Sequence, residues 1–204
     1  MTQLWKYGSS VLGNDVLILN MGSATRCPSK ARGYCLLGKN CYALKAEVQY
    51  PRCLAYRERQ AQYWLHSGAE RILRDLVESI FRRRLDTKYF RYNESGDFYS
   101  QTDITKLNYI ARGLQKLGIT TFGYTARRDL DFSNTDFIVR GSGFMLPHGM
   151  TFICNSDTPS GYNEELNATV CNGICKDCTL TRTIGALRVA MPLRKSGKRM
   201  KGGD

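Results

Sequence analysis

The 204-residue sequence contains no apolar run approaching the roughly 18 residues that a membrane span needs, which excludes a membrane-spanning helix and leads to the expectation of no membrane partner. The opening residues, MTQLWKYGSS, hold no apolar h-region. That predicts no secretory signal and a cytosolic location. Histidine is scarce, with only His66 and His148. His66 falls on a predicted helix as a surface residue, and His148, in LPHG, is a minor ligand candidate. Carboxylates are also few, 18 against 30 lysines and arginines.

The eight cysteines carry the main chemical signal. A chain of this size with 42% hydrophobic residues can build a core without covalent staples. In a reducing compartment, clustered cysteines read as ligands or catalysts rather than as disulfides. The net charge of +12 suggests an anionic partner, either nucleic acid or a phosphorylated small molecule. The alternative is general solubility, because basic residues run along the whole chain. Two concentrations stand out, Arg82 to Arg84 and the tail from Arg188 to Lys201. Such a tail would bind nucleic acid without sequence preference.

Hydrophobic patterning predicts an alternation of strands and helices. VLILN (16–20) is a short buried strand, followed by a long Gly- and Cys-containing stretch to Cys41 that has the character of a binding loop. Residues 42–50 and 51–66 are helical, with Pro51 ending the first helix or opening the second. In 69–84, Ile72, Leu73, Leu76, Val77, Ile80 and Phe81 predict one apolar helix face. A strand at 88–93 leads into the ESGDF turn, and a helix runs over 103–117, capped by Thr102 or Asp103 and stopped at Gly118. Further strands are expected at 119–125, 136–140, 150–154 and 184–191, with GSG (141–143) as a turn. The fold class is α/β: a partial (βα)6-type barrel or an open, largely parallel sheet, with cysteine-rich loops at the carboxyl rim of the strands. One domain spans 1–191, and 192–204 form a basic flexible tail.

Cys171, Cys175 and Cys178 lie in CNGICKDC, spaced so that a short loop can wrap three thiolates around one cubane. Cys27, Cys35 and Cys41 form a looser group within one loop. Cys154 closes a strand and is a further ligand candidate, whereas Cys53 on a helix reads as a small buried hydrophobe. A [4Fe–4S] cluster, one or two, is the expected cofactor, with structural zinc as the alternative.

The run NMGSATRCPSKARGYC, NCYALKAEVQYP, FRYNESGDF, GYTARRDLDFS, VRGSG and CNGICKDC resembles a phage-encoded family of uncharacterised proteins, the gene product eighty-eight family, over about residues 16–185. The resemblance implies a phage origin and an iron–sulfur or similar metal site. A more distant likeness is to radical S-adenosylmethionine (SAM) enzymes, which fold as partial barrels and keep three cluster cysteines after the first strand. Cys27, Cys35 and Cys41 match that place but not the usual C-x3-C-x2-C spacing. Glu94, Ser95 and Gly96 stand where that superfamily contacts the SAM amino group, although its Gly-Gly-Glu motif is not intact.

Three residues are candidates for catalysis. Glu94 and Asp97 are an acid–base pair or a cradle for a cationic group, or else simply a capped turn. Arg127 follows the next strand and suits a phosphate or carboxylate, or else solvent. Tyr89, Phe90 and Tyr92 suggest base stacking, although alternating strand aromatics more often belong to a core. Two functions follow from these readings: a cluster-binding protein, radical-SAM-like or redox-active, or a noncatalytic metal-stabilised module for nucleic acid or host machinery.

Overall fold

The computed structural model describes residues 4–9, 12–83, 86–144 and 146, together with the backbones of strands 151–155, 169–170 and 188–192. The chain begins with a hairpin-like pair, β1 (Lys6–Ser9) and β2 (Gly13–Leu19), which run antiparallel. Four helices follow, α1 (Pro28–Ala31), α2 (Tyr42–Gln49), α3 (Pro51–His66) and α4 (Ala69–Arg83). Then come β3 (Tyr89–Tyr92), α5 (Gln101–Gln115), β4 (Thr120–Thr125), β5 (Ile138–Ser142), β6 (Thr151–Asn155), β7 (Thr169–Val170) and β8 (Arg188–Pro192).

The strands form one sheet in the order β1-β2-β3-β4-β5-β6-β8-β7. Every pairing after β1–β2 is parallel. The described pairings make an open sheet, and none among the described residues joins β1 to β7. The architecture is thus mixed α/β with a mostly parallel sheet.

The register explains why VLIL reads as an unbroken apolar run. Leu17 and Leu19 share a face with Phe90 and Tyr92, and this face packs on α4 and α5. Val16 and Ile18 point the other way and pack with Leu12, Phe122 and Ile138. A parallel strand covered on both faces needs hydrophobic residues at every position. On α4, Ile72, Leu76 and Ile80 are buried, but Phe81 is 67% exposed. Nine residues at 100° each carry Phe81 to the side opposite Ile72, so it falls outside the expected apolar face.

Helix α5 starts two residues before the expected position. Its N-cap is Ser100, not Thr102 or Asp103, and Asp103 instead turns back to accept the Ser100 backbone N–H at 3.1 Å. Asp103 also accepts from Tyr99 N at 2.7 Å and from the Trp64 indole at 2.8 Å, which ties α3 to α5. Gly118, at φ +75°, lets the chain leave the helix, and Ile119 N reaches back to Leu114 O.

No helix joins β4 to β5. That face is filled by Phe132 and Phe137, whose rings pack on Phe98 and Tyr92 with centroids 5.2 to 6.2 Å apart. Strand β5 begins at Ile138 rather than 136, because Asp136 is bound to α5: its N–H donates to Asn108 and its carboxylate accepts from Arg112, both at 2.8 Å. Gly141 and Ser142 are accordingly strand residues, and the turn falls at Gly143. Phe90 and Tyr92 are fully buried, so they offer no stacking surface.

Candidate functional site

In an open parallel sheet, the loops at the carboxyl ends of the strands gather on one edge. Here the loops after β2, β3 and β4 are joined there by buried polar side chains. Asn20 ends β2. Its Oδ1 accepts from Ser95 N at 2.8 Å, and its Nδ2 donates to Gln60 of α3 at 2.7 Å. Asn93, after β3, returns the tie by accepting Met21 N at 3.0 Å. Ser95 Oγ donates to Gly22 O at 2.9 Å. Buried polar groups of this kind must find partners, so each bond fixes one loop against another.

Two buried carboxylates anchor the network. Glu47, on α2, accepts from Ala24 N at 2.7 Å and from Thr25 N at 2.9 Å, and it pairs with Arg57 at 2.9 Å. Burial alone would raise its pKa, but these donors outweigh burial and hold the carboxyl below its usual range. Asp97 accepts from the Ser29 hydroxyl, from Thr125 Oγ1 at 2.7 Å, from Ala126 N at 2.8 Å and from Phe98 N at 2.9 Å. It therefore joins the cysteine loop to the ends of β3 and β4. Burial pushes its carboxyl up, and the donors offset only part of that rise.

Three cysteines lie in the loop leaving β2. Cys27 stands at the N-terminus of α1 and Cys41 at that of α2. The turn after α1 brings Cys35 back, with its N–H on Ser29 O at 3.3 Å. All three are half-buried free thiols, as is Cys53 on α3. Burial pushes the Cys27 thiol up to about 12, and the neighbouring Asp97 and Cys35 add to the rise. Soft thiolates are the donors that iron–sulfur clusters and thiolate zinc sites take, so the loop fits such a group by donor chemistry. By geometry the set is incomplete. Among the described residues, no three His, Cys, Asp or Glu side chains converge to hold a metal ion. Cys171, Cys175, Cys178 and His148 lie outside the described residues, and Cys154 is described only as a backbone position of β6 opposite Met191.

The other candidates are placed as follows. Glu94 pairs with Lys6 of β1 at 2.9 Å, and its backbone carbonyl accepts the Tyr42 hydroxyl at 2.7 Å. Burial raises its pKa, but Lys6 and Arg91 together bring it below the usual range. Glu94 and Asp97 thus face different partners, Glu94 toward β1 and Asp97 toward Ser29 and β4. Gly96 has φ +75° and packs on the backbone of Gly22. Arg127 is 1% exposed. It grips Asp129 through two nitrogens at 2.7 and 2.8 Å, and donates to the Phe98 carbonyl and, at 3.0 Å, to the Tyr99 carbonyl. Its charge is matched within its own loop. His66 is exposed and bonds Gln62 at 3.1 Å. Arg82 pairs with Glu78, and Arg83 lies 4.6 Å over the Tyr7 ring. Glu47, Arg57, Gln60 and Asn20 were not foreseen, because no local pattern marks a helix carboxylate as the anchor of a distant loop.

The fold and its rim define a mostly parallel α/β protein whose first crossover carries a cysteine loop pinned by buried carboxylates. The chain belongs to the gene product 88 family, whose description matches residues 6–139. The match covers β1 into β5 and includes Cys27, Cys35 and Cys41; it ends well before residue 185 and before Cys154. It lends no support to the radical-SAM likeness. No curated protein and no solved structure matches the chain. No helix of the described residues is long and apolar enough to cross a membrane.

Proposed function

We propose that this protein binds an iron–sulfur cluster, of the [4Fe–4S] type, through Cys27, Cys35 and Cys41. Cys154 and the Cys171, Cys175 and Cys178 group would supply further thiolates, either to that cluster or to a second one. The observation that carries the reading is the placement of three free thiols in a single loop at the carboxyl edge of the sheet. Glu47 and Asp97 hold that loop through buried hydrogen bonds. Burial and the neighbouring Asp97 carboxylate disfavour the Cys27 thiolate, and a bound metal cation would offset that penalty. Such a cluster supplies one-electron transfer, and three protein ligands would leave one iron open to an exogenous group such as SAM.

Anaerobic purification followed by iron, acid-labile sulfide and zinc analysis tests this. The reading expects a brown protein with about four irons and four sulfides per cluster. A colourless protein with stoichiometric zinc would move the assignment to structural zinc, and a metal-free, folded protein would end both.

A further inference from the structure

Separately from the cluster, the outer surface of the same crossover has the features of a nucleic-acid contact. From Ala24 to Gly68 the chain carries eight lysines and arginines and two carboxylates, net +6 of the chain's +12. Both carboxylates are occupied. Glu47 is buried against Arg57, and Glu58 accepts from Ser23 Oγ at 2.6 Å and pairs with Arg26. Lys45 of α2 and Arg52 and Arg59 of α3 are exposed, as are Lys30 of α1 and Arg32 just after it, the last paired with Asp129 at 3.9 Å.

Aromatic rings lie among these cations. Tyr42 is 53% exposed and Tyr50 is 56% exposed. Spacings of three and four residues set Tyr42, Lys45 and Gln49 along one side of α2, and all three are exposed. The Tyr42 ring is positioned in advance, because its hydroxyl is bound to Glu94 O at 2.7 Å while much of the ring stays uncovered. Across the rim, the Arg128 guanidinium lies 5.0 Å over the Tyr34 ring. Leu36 and Val48, 67% and 77% exposed, extend the uncovered area. Rings that stack bases, interleaved with cations that follow a phosphate backbone, make a surface suited to single strands. A duplex keeps its bases stacked inside and cannot use the rings in this way.

We propose that exposed residues of α2 and of the first two-thirds of α3 bind single-stranded nucleic acid, with Tyr42 and Tyr50 stacking on bases and Lys45, Arg52 and Arg59 contacting phosphates. The site is separate in sequence from the basic tail. Binding there would place a strand beside the cysteine loop, because Cys41 directly precedes Tyr42.

Fluorescence anisotropy with labelled 20-nucleotide single strands of DNA and RNA, and with the matching duplexes, tests the proposal on the full-length protein over a salt series. Wild type should bind single strands more tightly than duplex. Its affinity should fall with salt at about −0.7 per phosphate contacted. Tyr42→Ala and Tyr50→Ala should each weaken binding about tenfold, while Tyr50→Phe retains it. Lys45→Gln with Arg52→Gln should flatten the salt slope by about one unit or more. Substituting Lys195, Lys198, Arg199 and Lys201 by Gln should leave the tyrosine effects in place. Circular dichroism of each variant separates lost binding from lost fold. Any of three results would overturn the proposal: no binding at low salt, binding indifferent to the α2 and α3 substitutions in folded variants, or equal affinity for duplex.

Discussion

Gly96 and Gly22 touch through their backbones: a Cβ placed on Gly96 would lie 2.6 Å from the Gly22 carbonyl oxygen. The contact brings the loop after β3 against the loop after β2 and so fixes how the cysteine segment leaves the sheet. Gly96 also holds φ +75°, where a side chain is strained even with room around it.

Gly96→Ala should therefore lose roughly 2–4 kcal/mol in urea unfolding, the strain and the collision acting together. Gly33 is the comparison. It has φ +71° but open space around it, so Gly33→Ala should cost only about 1 kcal/mol. Equal effects at the two positions would mean that the close approach to Gly22 contributes nothing.

Asp97→Asn should lower stability by about 2–3 kcal/mol. Each Asp97 oxygen accepts one backbone N–H, from Phe98 and from Ala126, and an amide NH2 in place of either oxygen faces a donor with a donor. Ser95→Ala, which removes one hydroxyl bond to Gly22 O, should cost about 1 kcal/mol. A drop for Asp97→Asn no larger than that for Ser95→Ala, measured by thermal unfolding, would contradict this role.

Most of the sheet and most of the helices were legible in the sequence, because apolar periodicity reports burial directly, whereas the two-residue strand β7 is too short to carry a pattern. Strand VLIL, helices α2 to α4 and the strand at Tyr89 fall close to where the pattern puts them. Strand β1 was not legible, since KYGS has no clear alternation and takes its structure from pairing with β2. The start of β5 shifted because Asn108 and Arg112, far away in sequence, hold Asp136. At the rim, Asp97 stood out because of its turn, but its partners Ser29 and Thr125 are 68 and 28 residues distant. Arg127 looked free for an anion until its own loop, through Asp129, accounted for its charge.

Glu47 gives stability a pH dependence. Its pKa is depressed in the folded state, so its contribution is present above the unfolded value of about 4.3 and is lost as pH falls through the lower folded value. Urea midpoints measured from pH 7 downward should fall below about pH 4.5. Glu47→Gln should reduce the fall and lower stability at pH 7 by about 3–5 kcal/mol, because Arg57 is left buried without its carboxylate. An unchanged acid limb in Glu47→Gln would show that other groups set it.

Cys27 should resist alkylation in the metal-free protein. With its thiol pushed up to about 12, iodoacetamide at pH 8 should leave it largely unmodified, while urea-unfolded protein is labelled fully. A raised folded pKa places its stabilising contribution below the unfolded value of about 8.5, and that contribution is lost as pH climbs toward 12. Peptide mass mapping reads the labelling, and rapid modification of Cys27 in folded protein would contradict its assigned environment.

The decisive measurement is the iron and sulfide content of anaerobically purified protein carrying Cys27→Ser, Cys35→Ser and Cys41→Ser together, set beside wild type and beside a Cys53→Ser control. If the loop after β2 holds a cluster, the triple variant loses about four irons and four sulfides per chain, and the control matches wild type. Iron and sulfide unchanged in a folded triple variant, or absent from the wild type itself, would contradict the assignment.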